Sequence, residues 1–170
     1  NPEEPGAMDL TLALAAKVGA DVAIVNDPDA DRLAVAIPTP GGWRALTGNE
    51  VGYLLGWRAA LRGGEDGVLA ASIVSSPALR QVALQTGLDY VDTLTGFKWI
   101  SRVGGLTYGY EEALGYLVDP DKVRDKDGIS AAVDFLSLVS ELKSEGRTVL
   151  DHLDDFADRF GAYASGQISL

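Results

Sequence analysis

Apolar and polar positions follow two rhythms along this chain, and the rhythms take turns. "PGAMDLTLALAAKVGA" places apolar residues at helical spacing and ends on Gly19, which predicts a helix over residues 7–18. "DVAIVN" and "RLAVAI" are short apolar runs that predict two buried strands. "PTPGG" predicts a turn, with "WRAL" pairing back as a hairpin strand. "TGNEVGYLLGWRAALR" opens on a capping residue, Thr47, and predicts a helix to Arg62. After the loop "GGEDG", the strand "VLAASIV" leads into the helix "SPALRQVALQTG", with Pro77 in its first turn and Gly87 at its end. The strand "LDYVDTL", the short helix "GFKWISRV" and the strand "GLTYGYE" follow. "EEALGYLVDPDKVRDKDG" reads as a polar loop, helices are expected near 128–143 and 148–160, and "GAYASGQISL" ends with strand character. The alternation predicts an α/β fold, a mixed β-sheet layered with helices, with functional residues on loops at the carboxyl ends of strands.

Charge adds a direction to this picture. The 14 Lys and Arg stand against 25 Asp and Glu, a formal net charge of −11. That balance argues against a nucleic-acid-binding surface, which needs clustered cations, and suits a chain that gathers them. The 170 residues, 46% of them apolar, suffice for one sizeable core, or for one domain and part of another. With no cysteine, thiol chemistry, disulfides and thiolate metal sites drop out, and a cytoplasmic location is expected. No apolar run reaches the roughly 20 residues of a membrane span, so no membrane partner is expected. "NPEEPGAMDL" has neither an initiator Met nor the pattern of a signal peptide, and reads as the middle of a longer protein. Composition shifts near "PTPGG", where a domain boundary is expected.

Four stretches carry candidate chemistry. In "NDPDADR" an apolar strand ends in Asp27, Asp29 and Asp31 at alternate positions, followed by Arg32. Alternate residues of an extended loop point the same way, so three carboxylates converge and repel unless a cation sits among them. Oxygen-only ligands suit Mg²⁺, Mn²⁺ or Ca²⁺. An EF-hand does not fit, because Arg32 stands where its glycine should be and Pro38 where its closing Glu should be. A solvated acidic turn is the plainer alternative, since Asp and Pro both form turns. Arg32 either neutralises the aspartates or holds a phosphate that the cation shares. In "TLTGFKWI", Lys98 lies in the first turn of a helix, an anion site or simply a solvated lysine. In "YGYEEALGY", Glu111 and Glu112 follow a strand, as ligands for sugar hydroxyls or as surface acids of a hairpin. In "RDKDGIS", Asp127 reads as a helix cap, and Arg124 and Lys126 as phosphate contacts or solvated charges. His152, the only histidine, reads as a surface residue of an acidic helix, and "SSP" at 75–77 as a helix cap.

Taken in order, these stretches resemble the α-D-phosphohexomutase superfamily, the phosphoglucomutases and phosphomannomutases. Asp27, Asp29, Asp31 and Arg32 match its metal loop D-x-D-x-D-R, "TLTGFKW" resembles its T-G-[FWH]-K stretch, "GYEEALGY" its sugar-recognition loop, and "DKDGISAA" the helix start that follows. "NPEEP" is similar to the segment preceding the metal loop. The wording is most similar to the branch of bacterial phosphoglucomutases and phosphoglucomutase-2/phosphopentomutase proteins. The resemblance implies that residues 1–45 are the C-terminal half of domain 2 and residues 46–170 are domain 3 of a four-domain enzyme. Domain 1, with the phosphoryl-carrying serine in a T-A-S-H-N-P-type loop, and domain 4, with a Ser/Thr-rich phosphate loop, have no counterpart in this sequence.

By that resemblance Asp27, Asp29 and Asp31 hold one Mg²⁺ together with the phosphoserine, and Arg32 braces the transferred phosphoryl group. Lys98 sits near the reacting oxygens, Glu111 grips sugar hydroxyls, and Ala113, Lys98 and Arg124 are the other substrate-binding positions. The substrate is a hexose 1- or 6-phosphate, with glucose 1,6-bisphosphate as intermediate. Ala113 stands where the family often has serine and cannot hydrogen-bond a hydroxyl, so glucose, mannose and pentose substrates all stay open. Without domains 1 and 4 the chain is expected to be inactive, and without a cation its aspartate loop is expected to be mobile or filled by water or by Arg32. Two other readings remain: a haloacid-dehalogenase-like phosphatase, which also ends a strand in D-x-D, and a non-enzymatic acidic α/β module.

Overall fold

The computed structural model describes residues 1–63 and 66–166. Helix α1 (Asp9–Val18) stops at Gly19, whose left-handed backbone (φ 65°) satisfies the last carbonyls. Strands β1 (Ala23–Asn26), β2 (Leu33–Thr39) and β3 (Gly42–Ala45) form an antiparallel sheet in that order. Leu33 to Ile37 are all buried, so β2 is covered on both faces as its unbroken apolar run predicts. β1 departs from the expectation of a buried strand. It is an edge, and only its Ala23 is buried. "PTPGG" forms the turn of the β2–β3 hairpin.

Helix α2 (Gly48–Arg62) begins with a full capping box, in which Thr47 and Glu50 satisfy each other's backbone N–H groups. A second sheet runs in the order β5 (Asp89–Thr93), β4 (Val68–Ser72), β6 (Leu106–Glu111), β7 (Gly115–Leu117). β4 is parallel to β5 and to β6, while β7 returns antiparallel. β7 lies within the stretch read as a polar loop. Its three residues are fully covered, but a run that short between charged segments leaves no periodic signal. Helices α3 (Ala78–Thr86), α4 (Phe97–Ile100), α5 (Gly128–Ser144) and α6 (Val149–Phe160) complete the chain. Residues 161–166 form no strand, and the rest of the stretch expected to have strand character lies outside the described residues, as do residues 64 and 65 of the "GGEDG" loop.

The two sheet faces are packed differently. Leu69 and Ala71 of β4 and Tyr108 and Tyr110 of β6 face the main core, with Leu54, Leu55, Phe135 and Phe156. Ala70 faces a smaller cluster under α4, made by Phe97, Ile100, Leu106 and Leu117. α2 lies close on the first face because Gly52 and Gly56 carry no side chain where Tyr110, Leu79 and Tyr108 stand. The buried tyrosines are satisfied there: Tyr108 donates to the Gly52 carbonyl (2.8 Å) and Tyr110 to Asn49 Oδ1 (3.0 Å).

His152 is a correction. It is buried, not on the surface, and stacks on Trp57 with ring centroids 4.5 Å apart. It belongs to the apolar stripe of α6 with Val149, Leu153, Phe156 and Phe160, at helical spacing. Burial pushes the imidazole below its ordinary value, with Arg147 adding to the effect. The unfolded chain therefore binds the proton more readily, so stability is expected to fall as pH drops below about 6.5, the ordinary imidazole value. Urea midpoints compared at pH 7.5 and 5.5 check this. The drop should shrink in His152→Phe, and an equal drop in both proteins would contradict it.

Candidate functional site

The aspartate loop connects β1 to β2 and is tied at several points. Ala30 takes a left-handed backbone (φ 58°), unusual for a residue with a Cβ, and its carbonyl accepts the Gly128 N–H (3.1 Å). Asn26 Nδ2 donates to the Arg32 carbonyl (2.7 Å). A Cβ on Gly128 would stand 2.4 Å from that carbonyl oxygen, so the start of α5 can lie on the loop only with glycine there. The "DKDG" motif thus does more than cap a helix. Asp127 does accept the Ile129 N–H (3.0 Å), and the residue after it braces the aspartate loop.

Within the loop, carboxylate oxygens of Asp27, Asp29 and Asp31 lie within 4.8 Å of one another. Oxygens on opposite sides of a Mg²⁺ stand about 4 Å apart, so the three fit one hard cation after a small closure. The Asp27 side chain is 1% exposed, while Asp29 is open to solvent. Asp27 accepts the Arg32 N–H on one oxygen (3.0 Å) and Arg32 Nε on the other (2.7 Å). Burial alone would raise its carboxyl, but these contacts with Arg32 outweigh burial and hold it below the usual value. Arg32 therefore sits on the loop, paired with Asp27. Lys126 was not anticipated there, yet its Nζ meets Asp31 at 2.6 Å.

The sugar-type loop is the turn from β6 to β7. Glu111 Oε1 accepts the Gly96 N–H (2.5 Å), which ties this acid to the segment carrying Lys98. Glu112 is held from below: Ser72 Oγ (3.0 Å) and Ser75 Oγ (2.9 Å) both donate to its carboxylate. Sequence reasoning missed this role for Ser72 and Ser75. The N-cap of α3 is Pro77, which makes no side-chain cap hydrogen bond, and Ser76, one position earlier, accepts the Ala78 N–H on its Oγ (3.2 Å). Leu114 is left-handed (φ 64°), which turns its carbonyl to accept the Leu33 N–H (3.0 Å). Arg32 and Gly115 form an isolated antiparallel bridge. The aspartate loop and the sugar-type loop are therefore hydrogen-bonded directly to each other.

The remaining candidates are more loosely placed. Lys98 is exposed, with its Nζ 5.5 Å from the centroid of the Trp99 ring. Ala113 is exposed at the loop tip. Arg124 is exposed and, among the described residues, reaches only the Ser101 carbonyl, at 3.5 Å, with no contact that brings it to the two loops. A cavity of about 690 Å³ opens beside the sugar-type loop, among Glu3, Leu46, Gly48, Glu112 and Leu114. A larger one, about 750 Å³, lies between α2, α5 and α6, away from both loops. Its arginines and acids balance, and it carries no candidate chemistry.

Comparison with known proteins follows the same order of elements. The family description "Phosphoglucomutase/phosphomannomutase, alpha/beta/alpha domain II" matches residues 1–42, and domain III of the same family matches residues 47–160. The chain is 58% identical to the "Probable phosphomannomutase" of Haemophilus influenzae, over 100% of its own length and 36% of that protein. It is 40% identical to the human phosphopentomutase, over 95% of its length and 29% of that protein. A solved structure described as a candidate phosphomannomutase, from Thermus thermophilus, superposes with a TM-score of 0.79 at 25% identity, covering 95% of this chain and 36% of that one. The chain spans about a third of the length of the relatives it matches.

Proposed function

This chain belongs to the phosphoglucomutase/phosphomannomutase family, and from that premise we propose that it is the central third of a Mg²⁺-dependent phosphosugar mutase. In this reading residues 1–45 belong to domain 2 and 46–170 to domain 3, and domains 1 and 4 complete the cleft. The observation that supports it is the direct joining of the two loops, through Leu33 to Leu114 and Arg32 to Gly115, which brings the loop of Asp27, Asp29 and Asp31 beside the loop of Glu111 and Glu112.

Asp27, Asp29 and Asp31 are the residues that would hold Mg²⁺, with Asp27 already ionised in its buried place. When bound, the ion neutralises charge on a phosphoryl oxygen. Arg32 commits Nε to Asp27 and reaches Asn1 Oδ1 with Nη1 (3.4 Å), which leaves Nη2 to brace a phosphoryl group. Lys98 presents a solvent-facing ammonium near the reacting phosphate, and Arg124 a second cation for the phosphate at the far end of the substrate. Glu111 accepts hydrogen bonds from hydroxyls of the sugar while the Gly96 N–H fixes its orientation. Because charge moves between oxygens, catalysis rests on positioning and electrostatics, with glucose 1,6-bisphosphate as the intermediate. Ala113 adds no hydrogen bond, which suits a site that accepts hexose and pentose phosphates.

The family match supports this reading over a haloacid-dehalogenase-like phosphatase or a non-enzymatic module. Two assays test it. The full-length protein should interconvert glucose or ribose 1-phosphate with the corresponding terminal phosphate, stimulated by glucose 1,6-bisphosphate. The 170-residue chain should show no turnover above background. Robust turnover by the chain, or none by the full-length protein on hexose or pentose phosphates, would refute it.

A further inference from the structure

Lys126 occupies a position that the proposed mechanism does not use. Its ammonium lies 2.6 Å from Asp31 and is also 3.9 Å from Asp125. The stem is held too: a Cβ on Gly115 would meet Lys126 Cδ at 3.2 Å and the Phe97 ring at 2.9 Å. The backbone next to it is fixed, because the Asp127 N–H donates to the Tyr116 carbonyl (3.0 Å) and the Gly128 N–H to Ala30. Lys126 is therefore a half-buried cation delivered to the junction of the aspartate loop, the sugar-type loop and α4. Lys122 differs: its pair with Asp119 is 81% exposed on the lysine side and three residues apart, an ordinary surface pair.

The two cations on the aspartate loop are not equivalent. Arg32 holds Asp27 through its main chain as well as its side chain, so that pair is part of the loop's framework. Among the described residues, Asp31 is met at close range only by Lys126, with Arg32 4.0 Å away. Two cations offset two of the three loop carboxylates, which weakens the pull on a divalent ion, while Asp125 adds a fourth acid 3.9 Å from Lys126. A phosphate dianion arriving at the junction changes the balance, because it offers both the metal and the ammonium a partner.

We propose that Lys126 is an internal counter-ion that lowers the divalent-cation affinity of the aspartate loop until a phosphate-bearing ligand joins, so that cation and phosphate bind cooperatively. The inference rests on the reading of Asp27, Asp29 and Asp31 as a metal site. The coupling is reciprocal by linkage: phosphate should tighten the cation as much as the cation tightens phosphate. A single like charge a few ångström from the ion accounts for about tenfold in affinity.

The test is Mn²⁺ binding to the 170-residue chain, followed by electron paramagnetic resonance and calorimetry, with and without inorganic phosphate. Lys126→Gln should bind Mn²⁺ about tenfold more tightly without phosphate, and should lose most of the tightening that phosphate brings to the wild type. Lys126→Arg should behave as wild type, and unchanged urea midpoints would show that both variants fold. Asp29→Asn separates the two levels. If it leaves Mn²⁺ affinity unchanged, the metal reading fails and the inference falls with it. If Asp29→Asn weakens Mn²⁺ but Lys126→Gln binds no more tightly than wild type, or phosphate has no effect on the wild type, the counter-ion role alone is overturned.

Discussion

Replacing Gly48 by alanine is expected to destabilise the chain by about 3 kcal/mol or more, the upper end for overpacking a close-packed site. The added Cβ would lie 1.7 Å from the Glu112 carbonyl oxygen and 2.6 Å from its carbon. A backbone neighbour cannot rotate away as a side-chain end can. Alanine gains only about 1 kcal/mol of helix propensity over glycine, so the clash wins. Either the capped start of α2 or the sugar-type loop must move, and the hydrogen bonds that Tyr116 makes to the Gly48 carbonyl (3.3 Å) and Tyr110 to Asn49 would be strained with it. Urea unfolding measures the loss. Gly41→Ala serves as the control, since its nearest neighbour would be 3.9 Å away and its backbone is unstrained. A loss below about 1 kcal/mol for Gly48→Ala would mean that α2 slides freely on the loop.

Asp134→Ala is expected to cost about 3 kcal/mol, the lower end for breaking a buried ion pair. Asp134 is buried on α5 and accepts from Arg58 Nε (2.9 Å) and Arg62 Nη2 (2.7 Å), both on α2. Glu141, further along α5, pairs with the outer nitrogens of Arg58, and together Glu141 and Asp134 push the Arg58 guanidinium further above its ordinary value. Removing Asp134 leaves a guanidinium 11% exposed with one partner in place of two. Arg62 is half exposed and recovers water, which keeps the cost from the top of the range. Asp134→Asn should cost less, because it keeps an acceptor in the same place. The urea midpoint again reads the effect, and a change under about 1 kcal/mol would show the network to be no stronger than a surface pair.

Much of the fold was legible in the sequence because its signals are local. Gly19 and Gly87 end helices through a left-handed residue, and Thr47 with Glu50 starts one. Apolar periodicity located six helices and all strands except β7 within a few residues. The misses share a cause. β7 is too short to carry a period, and β1 looks buried because apolar composition does not distinguish a half-covered edge from a centre. His152 looked exposed because neighbouring acids outweighed its place on the apolar stripe, three residues after Val149 and four before Phe156.

The site divides along the same line. The three aspartates do converge, with oxygens within 4.8 Å, but not through the extended backbone expected: the loop is a turn, closed by the Ala30 N–H on the Asp27 carbonyl (3.0 Å) and bent by the left-handed Ala30. Local pattern was enough to stand Glu111 at the carboxyl end of a strand. Long-range packing alone rests Glu112 on Ser72 and Ser75, seats Lys126 on Asp31, and requires glycine at positions 48 and 128. Each of those contacts joins segments 37 or more residues apart. Short stretches of sequence encode backbone geometry, whereas which distant surfaces meet is settled by the packing of α2 on β6 and of α5 on the aspartate loop.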